Sequence, residues 1–384
     1  MSSVASMIEV RRHVLTPPHL AGGGYVSALH VGHQGSVFLG LTGARELLWR
    51  YEPSQGKAWP LGLSWLSPGA HMVHRSLVED PDGNLYVGAS RLRWGARSGL
   101  RPQAGHTGRR AFMFAMRWID RLGSLAAITE LFVLRRGGRD IIPLFRGLPG
   151  LITALAWHEP TRSLLVLTGG RRLWAYRPGE GAPVPIAFLG PYFHHAIGVD
   201  LSGRVWGLGR GRVLASIEPH LPSEGVGHAP ARRRATGTLP HPEPDRGRAA
   251  SGIDAWAVAP EGRMFGGLRE DGSVFTLDPA SGTSARLGKP APEPRLSGLC
   301  AGPDGTIYLT AGLGHVTLHR IRPGGRLERL GPVVDPDGTA CHHVHDLVAA
   351  GPGRLFAGEF YPFDTPRPAP PNRPGALWEI SIPT

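Results

Sequence analysis

Clustered histidines stand before three of the short polar turns that recur along this chain: His71 and His74, then His194 and His195, then His342, His343 and His345. Imidazole titrates near neutral pH, so it serves as a general acid or base and as the commonest side-chain metal ligand. Counted back from the turn glycine, His74 lies nine residues before Gly83. His194 and His195 lie nine and eight before Gly203, and His345 lies eight before Gly353. In a ring of repeats, a shared phase means a shared face, so these side chains should converge on one small area.

The richest stretch is CHHVHDLVAAGPGRLFAGEFYPFD, in which Glu359 is the one acidic residue closing the strand after any of the turns. An antiparallel hairpin about that turn brings His345 and Glu359, 14 residues apart, close together. A carboxylate beside an imidazole orients the ring, raises its pKa or shares a metal with it. Regular alternation puts His343 and His345 on one strand face and His342 on the other. His343, His345 and Glu359 are therefore the expected metal ligands, with His194 able to complete a site that keeps open positions. The cation would be divalent: Mg, Mn, Ca or Zn.

The elements that must position these residues come from a repeat. VSALHVGHQGSVFLGLTG, from Val26, aligns without a gap with ITALAWHEPTRSLLVLTG, from Ile152. Further copies centre on PDGNLYVG (Gly83), LSGRVWGLG (Gly203), PEGRMFGG (Gly262), PDGTIYLT (Gly305) and GPGRLFAG (Gly353), making seven in all. Each reads as an inner strand, a glycine turn and further strands separated by Pro-containing turns. This spacing predicts an all-β chain folded as a seven-bladed β-propeller of four-stranded antiparallel blades, one domain over residues 1–384. The last copy stops at its third strand, ALWEISI, and IEVRRHVL near the start lacks a hairpin partner. The N-terminal strand should therefore complete the last blade and remove an exposed edge.

Loop insertions are expected at about 91–110, 219–250 and 360–374. The middle one, with its many prolines and low hydrophobicity, should contribute nothing to the core. The first and last rise from the face that carries the histidines. At the corresponding position in other blades stand Ser27, Thr153, Asp254 and Ser297, all polar, as a wet channel mouth requires.

Composition narrows the functional classes. The chain has 55 glycines, 37 prolines and only 19% charged residues, which suits strands and turns. Its formal charge of +12 attracts anionic ligands, although nearly all of it is arginine and it also fits a base-composition bias. Two cysteines, Cys300 and Cys341, are too few for a disulfide framework but leave one bridge open. No secretory h-region and no apolar run long enough to span a membrane is present, so the expected setting is cytoplasmic, without membrane contact and as a monomer. Aromatic residues are not interleaved with the arginines, which argues against nucleic acid as the partner. Phosphate-loop, nucleophile-elbow, zincin and paired C-x-x-C motifs do not occur.

A histidine, a GPDG-like turn and an apolar strand ending in Glu together resemble the blades of streptogramin B lyase and its seven-bladed relatives. The resemblance implies a magnesium-assisted elimination in which His345 and Glu359 take part. The family's further histidine, one blade upstream, falls on Ser297. More loosely, the histidine-lined face with Tyr and Arg resembles propeller polysaccharide lyases such as those acting on ulvan.

Elimination beside a carboxyl group needs a base for the α-proton, positive charge for the enolate-like anion and an acid for the leaving oxygen. On that view His345 or His195 is the base, and Tyr361 the acid. Arg367 or Arg373 binds the carboxylate, and His74 and His194 contact the substrate, a small molecule or an acidic glycan. The alternative is a non-catalytic propeller whose basic face binds a protein, glycan or nucleic acid. Under that alternative the histidines scatter around the rim; an enzyme brings several to one centre.

Overall fold

A computed structural model describes residues 8–15, 24–92, 127–169, 171–189, 195–208, 213–219, 233–238, 252–269, 271–293, 296, 298–360 and 375–383. The chain is an all-β, seven-bladed propeller. Five blades are separate four-stranded antiparallel sheets, and the other two belong to one nine-stranded sheet in which the short strand Ala70–Met72 bridges blades 1 and 2. The innermost strands, in order, are Tyr25–Val31, Leu77–Glu79, Ile152–His158, Gly198–Val199, Ile253–Val258, Gly298–Ala301 and Val344–Ala349. Six of the seven turns that follow are made by Gly35, Gly83, Gly203, Gly262, Gly305 and Gly353, with φ between 65° and 91°, where a side chain would be strained. Blade 3 uses Arg162 at φ 46° after a short 3-10 turn instead.

Glu9–His13 pairs antiparallel with Leu377–Ser381, so the N-terminal strand is the outermost strand of blade 7, as the unfinished last repeat predicts. Ile8 and Val10 are buried there with Trp378 and Ile380. Among the described residues the hydrophobic core is seven wedges, each lying between two successive blades. An open row of seven blades would have only six such wedges. The seventh joins Val26, Leu29 and Trp49 of blade 1 to Phe356 and Leu377 of blade 7, and this closes the ring.

A small residue near the end of the second strand of several blades seats the next blade. A Cβ on Gly40 would overlap Val73, and one on Gly88 would overlap Ile152. One on Gly267 would come to 2.6 Å from Leu296, and one on Gly358 to 2.7 Å from Val26. Val73, Ile152, Leu296 and Val26, close to the start of the next inner strand, fill these notches. His74, Thr153 and Ser27, next in sequence to three of them, are thereby held at the channel mouth.

One expectation needs correction. Arg233–Thr238, inside the stretch expected to be loop, is the outer strand of blade 4, paired with Val213–Ile217. An outer strand needs main-chain pairing on one side only, so hydrophobic alternation does not announce it. Residues 93–126 and 361–374, which hold most of the other two expected insertions, lie outside the described residues. Cys300 and Cys341 are both free thiols.

Candidate functional site at the channel mouth

At its start, the inner strand slips register at one residue in several blades. The slips fall between Val26 and Ala28, Ile152 and Ala154, Ile253 and Ala255, and Val344 and Asp346. The extra residues are Ser27, Thr153, Asp254 and His345, which share one phase of the repeat. A bulge of this kind re-aims one side chain out of the alternating pattern. Arg75 and His195, eight residues before Gly83 and Gly203, hold the same phase in blades 2 and 4.

His74, His195 and His345, from blades 2, 4 and 7, meet there. Their ligand-type nitrogens all lie within 4.8 Å of one another. The His74 and His345 rings are edge to face with centroids 4.5 Å apart, and His74 and His195 are 5.4 Å apart. Phe360 stands 4.8 Å from His345 and gives the cluster an apolar wall. His74 donates from Nδ1 to the Thr153 carbonyl at 3.0 Å. That acceptor fixes the proton on Nδ1 and the lone pair on Nε2. Burial, reinforced by the Arg75 charge, pulls the His74 pKa down to about 4, so the ring is neutral at pH 7.

Guanidinium groups surround the trio. Arg269 Nη1 lies 2.8 Å from His195 Nε2, which must act as the acceptor. Asp254, fully buried, lies 3.7 Å from the same nitrogen. Arg75 reaches across the channel to the carbonyls of Asp254 and His345. Asp346 accepts the Leu29 N–H at 2.8 Å across the seam of blades 7 and 1. Burial raises its pKa, against the opposing pull of Arg75.

Of the residues singled out from the sequence, His74, His195 and His345 are thus brought together. Glu359 is fully buried and accepts the His342 N–H at 2.9 Å; its register partner is Val344. The expected metal set of His343, His345 and Glu359 is not the one the geometry groups: among the described residues the grouping holds His345 without His343 or Glu359. The strand begins only at Val344 and bulges at His345, so the alternation that would pair His343 with His345 does not apply. His194, Tyr361, Arg367, Arg373 and Ser297 lie outside the described residues. Arg75 and Arg269 were not anticipated. Arg75 carries a signal, the same phase as His345, that a search for histidines passes over.

A second concavity, of about 770 Å³, lies on the opposite face. It opens between the turns of blades 2 and 3, lined by Asp80, Asp82, Tyr86, Trp157, Arg162 and Arg177. Tyr86 and Trp157 stack there with centroids 5.8 Å apart and planes 13° apart. No helix among the described residues is long and apolar enough to cross a membrane.

No family model and no curated protein matches the chain. Similarity to solved structures is broad. A streptogramin B lyase structure superposes with a TM-score of 0.64 at 11% identity, covering 98% of both chains. A catalytically inactive histidine variant of virginiamycin B lyase from Staphylococcus aureus, with quinupristin, gives 0.62 at 11% identity over 98% of this chain and 99% of the other. YCF48 bound to D1 peptide gives 0.57 at 12% identity over 98% and 97%. At these identities the likeness establishes the propeller fold that this chain shares with lyases and with a peptide-binding protein.

Proposed function

We propose that this propeller is a carbon–oxygen lyase that performs β-elimination on an anionic substrate, an acidic oligosaccharide or a cyclic ester, at the histidine-lined mouth. The convergence of imidazoles from three separate blades within 4.8 Å carries this reading. A binding module would have no need to gather them at one centre. His345 is the base that takes the proton α to the carbonyl. As the C–H bond breaks, its electrons form the C=C bond and the C–O bond to the leaving group is lost. Arg75 and Arg269 supply positive charge near the enolate-like anion. The assignments of Tyr361 as acid and of Arg367 or Arg373 as carboxylate binder belong to the same reading. The +12 charge favours capture of such substrates.

The resemblance to the streptogramin lyases implies magnesium, but the grouped donors are three imidazoles, whereas magnesium takes oxygen ligands. No step is therefore routed through that ion. The test is ultraviolet absorbance of the unsaturated product across uronate polysaccharides and cyclic depsipeptides. Activity that survives His345→Ala would overturn the assignment.

One observation favours a second reading, a propeller that holds a partner. The cleft between blades 2 and 3, with its aromatic stack and opposed carboxylates and guanidiniums, lies away from the histidines. Loss of partner retention in Trp157→Ala, with elimination absent throughout, would select this reading.

A further inference from the structure

We propose that His74, His195 and His345 form a site for one divalent transition-metal ion, bound through three imidazole nitrogens with its remaining positions open. This inference stands on the geometry of the trio and not on the elimination chemistry: a metal-bound His345 ring has no lone pair left for an α-proton, so in the metal-loaded chain His345 is a ligand and not the base.

The ligand-type nitrogens lie within 4.8 Å of one another. A tetrahedral ion about 2.1 Å from each nitrogen needs them roughly 3.4 Å apart, so side-chain shifts of about 1 Å suffice. Each histidine comes from a different blade, so the scaffold that fixes them is the closed ring itself. Second-sphere order is already built. His74 is held by the Thr153 carbonyl, the orienting bond typical of metal-bound histidine. His195 presents Nε2 as an acceptor, now occupied by Arg269, and binding exchanges that hydrogen bond for the ion.

The donor set decides the class of ion. Imidazole suits Zn, Cu, Fe and Ni, whereas Mg and Ca take oxygen ligands. Among the described residues no carboxylate joins the group. Three protein ligands with an open position are also the pattern of catalytic rather than structural zinc sites.

The experiment uses untagged full-length protein stripped with chelator, then titrated with Co²⁺ and Zn²⁺ by calorimetry and visible absorption. Expected is one equivalent of Co²⁺ with the visible bands of a low-coordinate nitrogen site, displaced by Zn²⁺ and indifferent to excess Mg²⁺. Each of His74→Ala, His195→Ala and His345→Ala should weaken binding at least about tenfold. Should an alanine variant fail to fold by circular dichroism, the asparagine variant at that position is measured instead. Because the chain has 18 histidines, His315→Ala serves as a control that should bind normally. Absence of a one-equivalent site, or one that survives the His74→Ala/His195→Ala double variant, overturns the proposal. The readout is binding, so a chain that binds cobalt yet eliminates nothing separates this proposal from the lyase reading.

Discussion

Arg75 Nη2 donates to the main-chain carbonyl of His345 at 2.5 Å, and the same guanidinium also donates to the carbonyl of Asp254. One side chain therefore ties blades 2, 5 and 7 across the channel, just beneath the histidine trio. Its backbone sits at φ 45°, a conformation that a non-glycine residue adopts only when its surroundings enforce it. Charge-assisted hydrogen bonds are worth about 1.5–3 kcal/mol each. Arg75→Met should lower stability by about 2 kcal/mol in urea titration. Arg75→Lys should recover less than half of that, because an ammonium lacks the fork that spans two carbonyls.

The packing notches give a second expected outcome. Gly88 lies in a regular strand and owes nothing to a positive φ; a Cβ there would meet chiefly Ile152 of the next blade, with Ser76 Cβ 3.2 Å away. Gly88→Ala should cost about 1–3 kcal/mol through overpacking. Adding Ile152→Ala should make the double variant more stable than the two single losses sum to, as for residues that share one space. Strict additivity in thermal unfolding would show that the notch is not what seats the blade.

The ring was legible in the sequence because each glycine turn and apolar strand repeats with little variation, and the unfinished last copy announced the closing strand. The convergence of His195 and His345 followed from a shared phase, and that of His74 from standing one residue off it. What phase does not show is the bulge. A period-two reading puts His343 beside His345, whereas the register slip between Val344 and Asp346 frees His345 from the strand pattern. Arg75 escaped notice for a related reason: its role is set by carbonyls of blades 5 and 7, which no local pattern contains. The outer strand Arg233–Thr238 was hidden because main-chain pairing leaves no signature in side-chain polarity.

Closure of blade 7 should depend on pH. Glu379 accepts from Arg354 at 2.9 and 2.5 Å and faces His13 Nε2 at 2.9 Å, joining the third strand of blade 7 to the N-terminal strand. The His13 hydrogen bond, aided by Arg354 and opposed by burial, lowers its pKa from 4.5 to about 2. A carboxylate whose pKa is lowered on folding contributes stability that is fully present above its unfolded pKa and is lost as pH falls through the folded value. The loss should therefore run from about pH 4.5 down to 2. After allowance for screening, about 1–2 kcal/mol is expected from this group. Glu379→Gln should flatten that part of the stability profile in urea titrations while sparing the slope contributed by Glu79, also held at about 2 by His30 and His33.

Glu359 separates a positioning role from a ligand role. Its Oε1 accepts the His342 N–H at 2.9 Å, while the Phe360 N–H donates to the His343 carbonyl at 2.9 Å. Together these bonds hold the segment that delivers His345 into its bulge. Glu359→Ala should strand a buried donor, costing about 1–3 kcal/mol, and should weaken cobalt binding by loosening His345. Glu359→Gln offers an amide oxygen to the same N–H and should restore both stability and cobalt affinity. If Glu359 were itself a ligand, the glutamine variant would bind cobalt as poorly as the alanine variant while remaining as stable as the parent chain. Calorimetry and urea unfolding on the two variants tell these outcomes apart.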